Sequence, residues 1–165
     1  MGFVHTAVIA ASLTISGAAS GGEIPDEISA KGETVVLQVH AVGLQIYDCK
    51  AGAGGKMTWK FREPIATLIR DGITVGRHYA GPTWEIEGSA IIGKVIASAP
   101  SKDKENIPWL KLEVTDRRGD GPLEDVTTIQ RINTDGGTAE EEECEGDGAL
   151  NIEPYTADYV FLKKP

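Results

Sequence analysis

A histidine and a glutamate flank the turn signal Gly81-Pro82 in the stretch Gly76-Arg-His-Tyr-Ala-Gly-Pro-Thr-Trp-Glu85. If a short hairpin sets His78 beside Glu85, the carboxylate raises the imidazole pKa and the ring can move a proton near neutral pH. The plainer role of the same pair is structural: Glu85 orients the ring while Pro82 and Trp84 fix the turn and the core. On an alternating strand His78 shares the parity of Thr74 and Gly76, opposite Ile73 and Val75, so its imidazole is expected to turn away from that apolar row. A second polar set, Arg131, Tyr155, Asp158 and Tyr159, lies near the end of the chain. A guanidinium fork suits a carboxylate or phosphate ligand, although it most often binds an internal acid, here Asp158 or Glu85. Arg131 therefore either grips an anionic ligand beside His78 or sits in an internal ion pair.

Other chemistries are less well supplied. Trp59, Trp84 and Trp109 could build a carbohydrate-binding surface, but each sits in a strand-like run beside apolar residues, which favours core packing. With a leader removed, only His40 and His78 remain, too few for a three-histidine zinc site; two histidines with Glu85 are the arrangement left, and no metal is assigned. The acidic run Glu140 to Glu143, with Asp135, Glu145 and Asp147, does not follow the D-x-D-x-D-G order of a calcium loop and has the look of a solvated segment. There is no G-x-S-x-G nucleophile turn, and no cofactor is implied.

The 165 residues suffice for one domain with a substantial core and are too few for two ordinary ones. A formal charge of -9, with a pI near 4.8, repels phosphate backbones and anionic lipid, so nucleic acid is not an expected partner. Residues 1–20 contain no acid and no Lys or Arg, and run through an Ala/Ser-rich apolar stretch to Ala18 and Ser20. This is the length of a signal-peptide core, too short and too weakly apolar for a stable membrane span. Cleavage near Ser20 is expected, leaving a lead-in over 21–32 and a β domain over 33–165. The alternative is an N-terminal strand of the domain. An exported chain meets an oxidising compartment, the periplasm or the outside, where its two cysteines, Cys49 and Cys144, are expected to pair; two separate buried thiols are the alternative.

The elements that must position these side chains read as strands. Val35, Leu37, Val39 and Ala41 alternate with Gln38 and His40, and Leu44 and Ile46 continue on the other parity, which suggests a bulge or bend at Gly43. Asp71-Gly72 and Glu87-Gly88 are hairpin turn signals between apolar runs. Further alternating runs start at Met57, Trp109, Val126 and Thr156, separated by glycine-rich or polar loops, and every candidate helix is interrupted. About ten short strands are expected, in an all-β antiparallel sandwich or barrel.

Several phrases go beyond periodicity: Val42-Gly-Leu-Gln-Ile-Tyr-Asp-Cys49, Trp59-Lys-Phe, Ala66-Thr-Leu, Gly76 to Glu85, Ile107-Pro-Trp-Leu, Ile129-Gln-Arg-Ile-Asn-Thr-Asp-Gly-Gly137 and Pro154-Tyr-Thr-Ala-Asp-Tyr159. In this order, from about Val35 to Phe161, they resemble a secreted bacterial and fungal family catalogued as domain of unknown function 3455. The resemblance implies an exported protein with recurrent cysteines at the positions of Cys49 and Cys144, and no established activity. A dehydrogenase label attached to some fungal members finds no support here, because no G-x-G-x-x-G links a strand to a helix. The acidic stretch before Cys144 is longer and more charged than the family pattern.

The resulting expectation is an exported β domain that binds a small molecule, a carbohydrate or a surface partner, with His78, Glu85, Arg131, Trp84, Tyr155 and Asp158 as the residues to watch. The alternatives are a secreted enzyme using His78 and Glu85 as an acid/base pair, and a structural envelope protein. Oligomeric state is not legible.

Overall fold

Burial alternates residue by residue over 37–41 and 64–68, as expected for strands that give one face to a core. The computed structural model describes residues 23–139 and 143–165. Eight antiparallel strands close into a barrel in simple up-and-down order: β1 (Thr34–Ala51), β2 (Met57–Arg70), β3 (Ile73–Tyr79), β4 (Thr83–Ile86), β5 (Ser89–Ala99), β6 (Trp109–Arg118), β7 (Thr128–Gly136) and β8 (Leu150–Lys163). Pairing of β8 with β1, from Thr34 opposite Lys163 to Asp48 opposite Leu150, closes the ring. Among the described residues there is no α-helix, only 3-10 turns at Asp26–Ile28 and Ala53–Gly55.

The count is eight rather than about ten because several expected pairs of short strands are single long ones; β1 alone has 18 residues. Gly43 is not the site of a bend. The register slips of β1 fall between Ile46 and Tyr47 and between Val35 and Leu37, and odd positions stay inside past Gly43, carrying Ala41 and then Gln45 into the barrel. Gly43 is needed for close approach instead: a Cβ there would run into the Ile65 carbonyl and Ala66 of β2. The two hairpin signals are turns, with Asp71 and Gly72 at φ 53° and 77° and Glu87 and Gly88 at φ 45° and 92°, as two-residue hairpins require.

The main core fills the barrel with Leu37, Val39, Leu68, Ile86, Leu112, Ile129 and Phe161 among others. A second, smaller core lies outside the wall. There Ile28 packs on Ala99, Ile132, Val160 and Leu162, so the segment before β1 covers the outer face of β5 to β8. Gln130 Nε2 donates to the Ile28 carbonyl at 2.7 Å and Lys111 Nζ to the Ser29 carbonyl at 2.8 Å, which fastens that strap.

Cys49 and Cys144 form a disulfide across 95 residues, tying the segment before β8 to the end of β1. No helix among the described residues is long and apolar enough to cross a membrane. The leader expected over residues 1–20, and Glu140 to Glu142 of the acidic run, lie outside the described residues.

Candidate functional site

The central part of the barrel is built from unusually small and unusually large side chains facing one another. Ala41 and Gly43 of β1, Ala66 of β2 and Ala157 of β8 leave space that Tyr155, Tyr159, His78 and Trp84 occupy. Gly93 on β5 makes the same allowance, since a Cβ there would lie 3.0 Å from the Trp84 ring. His78 stacks on Trp84 with ring centroids 4.3 Å apart and planes 13° from parallel, and Tyr159 meets both edge-on at 5.1 and 5.3 Å.

The wall is interrupted beside this cluster. β3 pairs with β2 only from Ala66 onward, and β4 with β5 only as far as Ile92, so the first half of β2 and the second half of β5 have no strand between them. A cavity of about 280 Å³ enters through that notch. Phe61, Pro64, Val95 and Leu110 form apolar sides, and His78, Trp84, Tyr159 and Arg131 line it as well.

Arg131 reaches the cavity because it shares the inward face of β7 with Ile129, and it stands between Leu110 of β6 and Tyr159 of β8 in the register. Its Nε and Nη2 both donate to the Pro108 carbonyl, at 3.1 and 2.9 Å, and no carboxylate lies within 4.0 Å among the described residues. Its charge is felt inside the barrel, where it favours the ionised form of Tyr155 and Tyr159 and disfavours protonation of His78.

Burial dominates the electrostatics. It pushes the His78 pKa down to about 3, against a smaller opposing effect of its hydrogen bond to the Thr83 carbonyl and with Arg131 adding to the fall. The ring is therefore neutral at physiological pH. Its Nδ1 lies 2.8 Å from the Thr83 carbonyl oxygen, which can only accept, so Nδ1 carries the proton and Nε2 is left as an acceptor. Burial likewise raises the Tyr155 and Tyr159 hydroxyls above their usual range, so both stay protonated. The Trp84 indole N–H is buried without a hydrogen-bond partner, whereas the Tyr155 and Tyr159 hydroxyls and the Gln45 amide have no well-aligned bond but do interact, Tyr159 with Tyr155 and Arg131 and Tyr155 with Gln45.

His78 and Glu85 are not brought together. β3 carries an extra residue at Val75, where the pairing jumps from Leu68 opposite Gly76 to Ile69 opposite Thr74. Across this bulge Val75 and His78, of opposite parity, both face the core, while Ile73 at the turn is 67% exposed. In the β3–β4 hairpin His78 stands opposite Trp84, and Arg77 opposite Glu85. Glu85 thus lies on the outer surface, held by Arg77 Nη2 at 3.1 Å, Arg118 Nη2 at 3.0 Å and the Tyr79 hydroxyl at 3.0 Å. These donors pull its pKa down, Arg77 first and Tyr79 next, which keeps it ionised. The acid/base pair is absent for that geometric reason.

Asp158 also faces outward, accepting from His40 Nδ1 at 2.8 Å and Asn133 Nδ2 at 2.9 Å, so it does not partner Arg131. With His40 outside and His78 inside, the two histidines cannot share a metal. Among the described residues no three His, Cys, Asp or Glu side chains gather where they could hold one. Trp84 is a core residue; Trp109 packs against the outer core under the strap. Sequence reasoning overlooked Gln45, which the supposed bend at Gly43 placed outside, and the notch, which needs the pairing register to be seen.

Fold and site together define an up-and-down eight-stranded barrel with a notched, polar-tipped interior cavity. Residues 29–163 match the family described as protein of unknown function (DUF3455), and the chain belongs to that family. No curated protein and no solved structure matches it.

Proposed function

We propose that this is an exported binding protein that holds a small molecule inside its barrel, with entry through the notch between β2 and β5. The observation that carries the reading is an apolar-sided cavity inside the barrel whose wall includes a guanidinium, Arg131, with no carboxylate partner among the described residues, backed by the buried Trp84 indole N–H, which has no protein partner. A guanidinium held beside an apolar cavity without a carboxylate gains by binding a molecule that pairs with it. Eight strands make a barrel just wide enough for interior side chains or one small ligand. Binding is favoured over turnover because His78 is held neutral and Glu85 faces the other side of the wall. Export is supported by the disulfide, which persists in oxidising compartments.

The test is a fragment screen by thermal shift on the full chain and on Val95→Trp, which fills the mouth from a half-exposed position. At a concentration about a hundred times Kd, a ligand of the folded state adds about 2.7 kcal/mol, a rise of about 5 to 10 °C for a chain of this size. Compact fragments should raise the melting temperature of the native protein and not that of the variant. No shift with any fragment, or equal shifts for both proteins, would contradict the proposal.

A further inference from the structure

The polar groups around the cavity lean to one chemical sense. Trp84 Nε1–H can only donate and a protonated tyrosine hydroxyl offers a proton as well, so with His78 Nε2 as an acceptor the groups around the cavity still supply more donors than acceptors. The cation beside them adds to that bias. Two guanidiniums line the cavity, but Arg62 is already bonded to Glu63 at 2.9 Å, with Asp48 at 3.6 Å, on an exposed side chain. Arg131 is different: the Pro108 carbonyl fixes its fork through Nε and Nη2, the Tyr159 hydroxyl is its neighbour inside the barrel, and no carboxylate meets it among the described residues. A fixed fork beside other donors is the arrangement that receives a carboxylate.

Charge and size narrow the class further. One guanidinium in a cavity with mostly apolar sides balances one negative charge, and a second would be desolvated without a partner. At about 280 Å³ the space falls just below the roughly 300 to 1,000 Å³ that hold drug-sized ligands. Phe61, Pro64, Val95 and Leu110 offer only apolar contact to the remainder of the molecule.

We propose that the ligand is a small monocarboxylate with an apolar body, its carboxylate held by Arg131 and the Tyr159 hydroxyl. This rests on the barrel-binding reading above and gives that ligand its chemistry. The net charge of the chain slows the approach of such an anion without opposing it inside, where the local charge is that of Arg131.

The experiment is calorimetric titration of the full chain with benzoate and hexanoate and with their neutral isosteres, benzamide and hexanamide. Repeating it on Arg131→Gln and Arg131→Lys tests the residue. The acids should bind about tenfold tighter than the amides or better, the discrimination that one charge-assisted contact provides. Arg131→Gln should remove that preference by weakening the acids far more than the amides, and Arg131→Lys should keep part of it. Equal binding of acids and amides to the native protein would overturn the carboxylate assignment, and that comparison decides even if a variant fails to fold. So would unchanged acid binding in a folded Arg131→Gln. If neutral fragments bind in the screen while neither acid does, the carboxylate class is wrong and barrel binding stands; if nothing binds at all, both fall.

Discussion

Replacing His78 by Gln should flatten the acid side of the stability profile. Unfolded, the imidazole titrates at its ordinary value of 6.5, whereas in the barrel burial holds it down to about 3. Below pH 6.5 the unfolded chain therefore takes up a proton that the folded chain refuses, and unfolding gains. The contribution of the neutral ring is complete above about pH 6.5 and is lost progressively as pH falls toward 3. Each pH unit inside that window is worth about 1.4 kcal/mol, so near pH 5 the native protein should have lost about 2 kcal/mol on this account alone. Glutamine does not titrate and its amide can still donate to the Thr83 carbonyl, so the variant should be weaker at neutral pH and lose less on acidification. The assay is urea denaturation followed by tryptophan fluorescence at several pH values, taking the difference between the two proteins so that shared surface carboxylates cancel. Parallel profiles between pH 7 and 5 would refute the placement of His78 as a buried neutral ring.

Tyr159→Phe should change the stability of the ligand-free protein by no more than ~1 kcal/mol in denaturant titration, because the buried hydroxyl it removes has no well-aligned hydrogen bond, only the neighbouring Tyr155 and Arg131. The same change should weaken binding of a carboxylate. Gly43→Val should cost about 1 to 3 kcal/mol in the same assay, since its side chain must force β1 away from Ile65 and Ala66. Replacing both Cys49 and Cys144 by Ser opens a 95-residue loop, for which chain entropy gives about 4 to 5 kcal/mol, read as the gap between denaturation midpoints of the native and variant proteins. Glu85→Gln, on the outer surface, should leave ligand affinity and its pH dependence unchanged in calorimetry.

The strands and their turns were legible because alternation and Asp71-Gly72 or Glu87-Gly88 are local signals. Facing was not. Period two assigns side chains to one face or the other only relative to their neighbours, and one inserted residue at Val75 exchanges the faces for everything after it. The pairing of His78 with Glu85 depends instead on the hairpin register, which sets His78 opposite Trp84 and so puts Glu85 on the other face of the sheet. The error at Gly43 had a different origin. Gln45 is polar, so a phase shift was needed to keep it out of the core, but a barrel with a polar interior site puts glutamine, tyrosine, histidine and arginine inside by design of its site. The two sequence clusters around His78 and Arg131 do meet, through Trp84 and Tyr159, across strands that only closure of the barrel brings near each other. Asp158, one residue from Tyr159, is carried to the outside by the same alternation.

Occupancy of the barrel is read most directly from the indole N–H resonances of a nitrogen-15-labelled chain titrated with benzoate. Trp84 should shift in a saturable way, with Trp59 and Trp109 unmoved. A titration in which Trp84 stays fixed, or in which all three indoles drift together without saturation, would contradict a ligand site inside the wall.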